Sequence, residues 1–224
     1  MAPFAGTMST SLFSKEPLMN RALLFFALAG SLVMGADAGE QSGGAKDPPE
    51  GFTSLFNGKD LSMWQNAGKQ PEWTVENGLI HYTGKGGKNL ATAKSYTDFE
   101  MWADWKITKG GESGIYLRGK PQVQIWDNEE GSGGLFTNKK GSDGQIPLYT
   151  KKERKDKKTG AWNTFYIKMV GSKVTVALND VIVVDNAVFL DGKIPAEGPI
   201  ELQAHGTPVW FRNVFVREIV AGKR

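Results

Sequence analysis

At 224 residues, with 40% hydrophobic and 23% charged side chains, the chain has the composition of an ordinary globular protein built as one large domain or at most two small ones. A net charge of +3 makes no electrostatic case for nucleic acid. The absence of cysteine excludes disulfides, thiolate chemistry and cysteine-ligated metals.

The first candidate element is a secretory leader. Asn20-Arg21 forms a short positive start, Ala22 to Val33 is an apolar run too short to span a bilayer comfortably, and Ala36-Asp37-Ala38 offers the small-x-small pattern of a cleavage site. Translation from Met1 and from Met19 both accommodate this reading, and a retained anchor is its alternative. No cysteine follows the run, so a lipoprotein anchor is excluded. The expectation is an extension and signal peptide over residues 1–38, cleaved after Ala38, with export to the periplasm or beyond and no stable membrane span afterwards. Residues 39–51 (GEQSGGAKDPPEG) read as a flexible linker, and residues 52–224 as the folded domain.

Within that domain short alternating segments are punctuated by Gly, Asn, Asp and Pro, with no long helical periodicity. Strands are predicted at 74–76, 79–82, 99–107, 113–117, 123–126, 164–170, 173–178, 181–185, 200–204 and 209–216. Asn77-Gly78, Gly171-Ser172 and Asn179-Asp180 read as tight hairpin turns. The fold class expected from this pattern is all-β, a jelly-roll sandwich of two antiparallel sheets. Residues 129–161 lack alternation and are rich in Gly and Lys, which predicts a long loop whose lysines form either a solvated surface or an anion-binding patch.

Alternation along a strand sorts side chains by face. In FEMWADWKI, Phe99, Met101, Ala103, Trp105 and Ile107 oppose Glu100, Trp102, Asp104 and Lys106. Val123 and Ile125 oppose Gln122, Gln124 and Trp126; Ile200, Leu202 and Ala204 oppose Glu201, Gln203 and His205; Val209 and Phe211 oppose Trp210 and Arg212. These strands share a pattern of one apolar face and one face mixing carboxylates, amides, Arg, His and Trp. Such a face suits carbohydrate, with rings stacking on sugar faces and amides binding hydroxyls; its alternative is a plain wet sheet face.

His205, at a strand end before Gly206, is a candidate proton carrier or metal ligand, whereas His81 in a hairpin reads as structural. Glu100 and Asp104 lie about 13 Å apart along one strand, too far for the roughly 5 Å of a retaining carboxylate pair. No HExxH, P-loop or dinucleotide glycine motif is present, which removes those enzyme classes.

Seven segments in order carry a family resemblance: GFTSLFNGKDLSMW from Gly51, WTVENGLIHYTGKGG from Trp73, YTDFEMWADWKI from Tyr96, ESGIYLRG from Glu112, VQIWDN from Val123, GAWNTFYIKMVGSKVTVALNDVIVVD from Gly160, and GPIELQAHGTPVWFRNVFVREI from Gly198. Together they resemble the 3-keto-disaccharide hydrolase domain of exported bacterial proteins. The resemblance implies a concanavalin-like jelly roll that cleaves 3-keto-glycosides or disaccharides by base-assisted elimination and hydration, with a non-catalytic carbohydrate-binding module of the same fold as the alternative. Carried onto matching positions, it implies Glu100, Asp104, His205 and Arg118 as catalytic candidates. It implies Trp102, Gln124, Trp126, Gln203, Trp210 and Arg212 as substrate-binding candidates. A divalent metal ion is compatible with such oxygen and nitrogen donors, though nothing in the sequence requires one. The chain departs from the family pattern at Pro121-Gln122, where an acidic residue is usual, and at Glu112, where asparagine is usual.

Overall fold

A computed structural model describes residues 46–136, 155–188 and 194–220 of the chain. The leader, the alternative start sites, residues 39–45 of the linker and the middle of the lysine-rich loop lie outside the described residues.

Thirteen strands are present among the described residues, and no helix. In chain order the first seven are β1 (Thr53–Ser54), β2 (Trp73–Glu76), β3 (Leu79–Tyr82), β4 (Leu90–Ala91), β5 (Phe99–Ile107), β6 (Glu112–Leu117) and β7 (Gln122–Trp126). The remainder are β8 (Leu135–Phe136), β9 (Asn163–Val170), β10 (Lys173–Leu178), β11 (Val181–Val188), β12 (Ile200–Leu202) and β13 (Val209–Glu218). One sheet runs β11-β10-β9-β5-β13-β3-β2, with β1 also paired to β13; the other runs β4-β12-β6-β7-β8. Every strand pairing is antiparallel. This is the expected jelly-roll sandwich of two antiparallel sheets. Among the described residues no helix is long and apolar enough to cross a membrane.

The hairpins form where the turn chemistry demands them. Asn77 and Gly78 both adopt positive φ (51° and 75°), as do Asn179 and Asp180 (50° and 67°), which matches turn twist to strand twist. The longest strands then follow from alternation. Met101, Ala103 and Trp105 of β5, Phe165, Ile167 and Met169 of β9, and Val174, Val176 and Leu178 of β10 enter one continuous core. The smaller sheet faces them with Ile115, Leu117, Val123, Ile125, Ile200 and Leu202. Two-residue strands such as β1, β4 and β8 are too short to show alternation, and they exist because neighbours offer them partners.

Strand β13 contains the main irregularity. Between Arg212, opposite Asp104, and Phe215, opposite Trp102, it carries one residue more than β5. Asn213 absorbs the extra residue with a left-handed backbone, φ 49°. The bulge reverses parity, so that Phe211, Val214 and Val216 all reach the core although strict alternation would separate them. It also aims the Asn213 amide outward at the Asp104 carboxylate, 2.8 Å away.

Phe165 is fully buried, with its ring 5.3 Å from Trp105 across β5 and β9. Phe165→Ala should therefore cost about 3–5 kcal/mol of unfolding free energy. Denaturant titration checks this, and a loss below about 1 kcal/mol would contradict the shared core.

Candidate active site on the outer face of the five-stranded sheet

Each sheet has an outer face turned away from the core, and the candidate residues divide between them. Glu100, Trp102, Asp104, Trp210 and Arg212 lie on the outer face of the larger sheet, on β5 and β13. Gln124, Trp126 and Gln203 lie on the outer face of the smaller sheet or at its strand ends, with His205 just beyond β12. A single shared polar face does not form: the whole apolar core separates the two groups. Arg118 joins neither.

On the larger sheet the charges satisfy one another. Asp104 is almost fully buried and accepts hydrogen bonds from Thr164 Oγ1 at 2.7 Å, Asn213 Nδ2 at 2.8 Å and Arg212 Nε at 3.3 Å. Arg212 stacks on Trp162, with the guanidinium carbon 4.1 Å from the ring centre. Glu100 accepts from Arg217 Nη2 at 2.6 Å and lies 3.5 Å from Lys168 Nζ. Trp102 packs on Tyr166, and His81 stacks flat on Trp210 at 4.8 Å while its Nδ1 sits 2.9 Å from Glu76. Burial, reinforced by the charge of Glu100 and a hydrogen bond to it, pushes the Tyr166 phenol up to about 12. A carboxylate so completely hydrogen-bonded is braced for structure more than for proton transfer.

Arg118 is buried just past β6 with a left-handed backbone, φ 57°. Its guanidinium donates to Thr97 O at 3.1 Å, Ala196 O at 3.0 Å and Gly171 O. Burial lowers its pKa below the usual arginine value, and Asp98, 3.9 Å away, opposes that shift. It ties the segments leading into β5 and β12 to the β9–β10 turn.

The smaller sheet is wired differently. Registers place Glu112 opposite Trp126, Gly114 opposite Gln124, and Tyr116 between Gln122 and Glu201. Gln122 and Gln124 are 2% and 3% exposed although they stand on an outer face, which marks a covered floor in place of an open wet sheet. Gln122 Nε2 donates to Gln203 Oε1 at 2.7 Å, and Gln203 Nε2 donates to Tyr116 Oη at 3.2 Å, a chain that crosses three strands. Gly114 makes this possible: a Cβ there would stand 2.0 Å from Gln122 Nε2.

At one end of this floor, Glu112 accepts a hydrogen bond from Gln124 Nε2 at 3.0 Å, while its second oxygen lies 3.6 Å from His205 Nδ1. The Glu112 and His205 side chains are 28% and 50% exposed. Thr207 closes the turn by accepting from Glu112 N at 3.0 Å and donating to Glu112 O at 3.1 Å, which holds the His205 loop against β6. Trp126 and Phe136 meet edge to face at 6.2 Å beside the floor. The result is a carboxylate–imidazole pair open to a ligand, set among amides and aromatics, an arrangement able to move a proton while binding hydroxyls. No group of three or more His, Asp or Glu side chains suited to a metal exists among the described residues. Glu112 and His205 together provide two such donors, short of the set a tetrahedral or octahedral ion takes.

Glu112, Tyr116 and Gln122 join the candidate site although their sequence context assigns them no catalytic or binding role; Glu112 and Gln122 stand out there only as departures from the family pattern. Glu112 is the first residue of β6, and its outward direction is legible only once Ser113 and Ile115 are known to face inward.

The family model for the 3-keto-alpha-glucoside-1,2-lyase-like domain matches residues 51–217. The chain belongs to this family. A 3-keto-disaccharide hydrolase of Bacteroides thetaiotaomicron is 25% identical over 227 aligned positions, covering 75% of this chain and 78% of that protein. A Parabacteroides distasonis protein provisionally named a glycosyl hydrolase is similar in structure, with 29% identity and a TM-score of 0.58 over 76% of this chain and 85% of the other. A second protein of the same provisional name and organism superposes with a TM-score of 0.59 at 23% identity, over 76% of this chain and 95% of the other, and shows the fold. Family membership makes this a glycoside-active domain of hydrolase-like type.

Two outcomes follow for the two outer faces. Gly114→Ala should push Gln122 off the floor and cost about 1–3 kcal/mol, and adding Gln122→Ala should recover most of that loss in a denaturant titration. On the larger sheet, the folded state favours the neutral Tyr166 phenol, whose pKa lies above its ordinary 10.0. Its contribution is full below pH 10 and fades as pH rises through about 12. The melting-temperature gap between wild type and Tyr166→Phe should narrow across that window.

Proposed function

We propose that this protein is an exported enzyme that cleaves 3-keto-glycosides, with its active site on the outer face of the five-stranded sheet. The observation that carries the reading is the Glu112–His205 pair, partly exposed at the end of a floor of buried amides. The name of the Bacteroides relative and the family description support the substrate class. The leader pattern before Ala38 supports export.

A ketone at C3 acidifies the hydrogen on C2. Glu112 takes that proton, and the electron pair forms an enolate stabilised by the polar surroundings of the site. Collapse of the enolate forms the C1–C2 double bond and breaks the C1–O bond, while His205 protonates the departing oxygen. Addition of water across the double bond completes net hydrolysis. No covalent sugar–enzyme bond is formed, so no second carboxylate at retaining distance is needed. Trp126 and Phe136 offer a face to the sugar ring. A divalent cation at Glu112 and His205 is tested by running the assay with and without chelator.

The test offers matched 3-keto and ordinary aryl glucosides and follows aglycone release. The keto substrate alone should react, and Glu112→Gln and His205→Ala should each lower kcat by about 10²–10⁴. Asp104→Asn should instead lower the melting temperature and spare kcat, because its partners lie on the opposite outer face. If Asp104→Asn abolishes turnover while Glu112→Gln does not, the site belongs on the larger sheet. If ligand binds and neither substrate is cleaved, the domain is a carbohydrate-binding module.

A further inference from the structure

The His205 side chain is 50% exposed, and among the described residues its ring has one ion-pair partner, Glu112 Oε2 at 3.6 Å. A ring held so lightly takes its place from its backbone. That backbone, from Gln203 to Thr207, is fastened to β6 along one side. Gln203 N donates to Gly114 O at 2.9 Å, and Ser113 Oγ donates to Gln203 O at 2.9 Å. Thr207 Oγ1 meets both the N and the O of Glu112. Asn89 holds the same backbone from the β4 side. It stands immediately before β4, and its Oδ1 accepts from the N of Ala204, the residue before His205, at 3.1 Å.

The orientation of the Asn89 amide is fixed by its two partners. Its Nδ2 donates to Glu201 Oε2 at 2.9 Å, and an ionised carboxylate can only accept. Ala204 N can only donate, so both contacts require the same orientation. Glu201 is itself anchored in β12, opposite Tyr116 on one side and Ala91 on the other. A link from Glu201 through Asn89 to Ala204 therefore ties the sheet to the residue next to the imidazole.

Glu201 has no direct part in the chemistry. Its partner Tyr116 stands four residues along β6 from Glu112, and Glu201 lies one strand further over, about 14 Å from Glu112 at the usual strand dimensions. We propose that Asn89 is a positioning residue for this site. Oriented by Glu201, it fixes Ala204 and so sets where the His205 imidazole stands relative to the Glu112 carboxylate. This rests on the reading of Glu112 and His205 as base and acid. A misplacement of about 1 Å can cost on the order of a hundredfold in rate, so a single bond one residue from the ring has leverage on turnover.

The test reverses the polarity of the link. Asn89→Asp sets a second carboxylate against Glu201 and should release the loop. Glu201→Gln alone should be mild, because its amide oxygen still accepts from Asn89. In the double variant the introduced amide donates to the introduced carboxylate, whose other oxygen accepts from Ala204 N, and the link returns. With the 3-keto aryl glucoside, Asn89→Asp should lower kcat about tenfold or more while KM stays within about threefold. Adding Glu201→Gln should bring kcat back to within about threefold of wild type. Asn89→Ala removes the link without adding charge; it should lower kcat likewise and gain nothing from Glu201→Gln. That variant carries the test if Asn89→Asp fails to fold.

A second readout needs no turnover. The chain has two histidines, so ring NMR of the full chain gives two sets of signals, assigned with His205→Ala. The His205 signal should shift in Asn89→Asp and return in the double variant, while that of His81, on the larger sheet, stays in place. A kcat loss that Glu201→Gln does not recover, a loss carried by KM alone, or a His205 signal indifferent to both Asn89 variants would overturn the proposal. A His205 signal that moves and returns in a protein that cleaves no keto-glycoside keeps the link and removes the catalytic reading, whereas cleavage with an unmoved signal does the reverse.

Discussion

The apolar interior shared by the two sheets governs the rest of this molecule. Phe99, Met101 and Trp105 on one side and Ile115, Leu117 and Val123 on the other are at most 1% exposed, and none of them could stay so without the opposite sheet. Once those faces are sealed together, every outward side chain belongs to one of two surfaces that cannot communicate by contact. The core therefore sets which polar residues can cooperate, although it contributes no chemistry itself.

The two outer surfaces are built from similar residue types and reach opposite conditions. On the larger sheet Glu100 and Asp104 each meet a cation and further donors or a second cation, and Trp102, Trp162 and Trp210 each meet a cation or another ring, so the charges along β5 and β13 are neutralised within the face. On the smaller sheet the long side chains are amides, which bind one another in a chain and leave the lone carboxylate of β6 facing a histidine. Gly114 decides this difference locally. The missing side chain lets Gln122 lean across β6 toward Gln203, and that lean forms the chain of linked amides beneath the Glu112–His205 pair.

Much of this was readable in advance, for definite reasons. Asn77-Gly78 and Asn179-Asp180 specify hairpins because few residues tolerate their backbone angles, and period-two alternation separated Trp105 from Asp104 without any coordinates. The bulge at Asn213 was not readable, because an extra residue in one strand is visible only against its partner. Arg118 drew attention as a cation within a family motif. Its three carbonyl partners come from Thr97, Gly171 and Ala196, segments far apart in the chain, and they show it holding loops together. Glu112 stood out only as a departure from the family pattern and received no role, because it stands at a strand end, where alternation gives the weakest direction.

The sequence by itself determined the all-β class, most strands, the turns that join them, and the inward or outward direction of residues in the regular strands, because all of these depend on neighbours a few positions away. Tertiary structure alone decided which sheet each strand joins. Alternation reports a side chain's direction relative to its own strand and carries no label for the sheet. Glu100 and Asp104 therefore look equivalent to Gln124 and His205 along the chain, and only pairing across distant segments sends β5 and β13 to one side of the core and β6, β7 and β12 to the other.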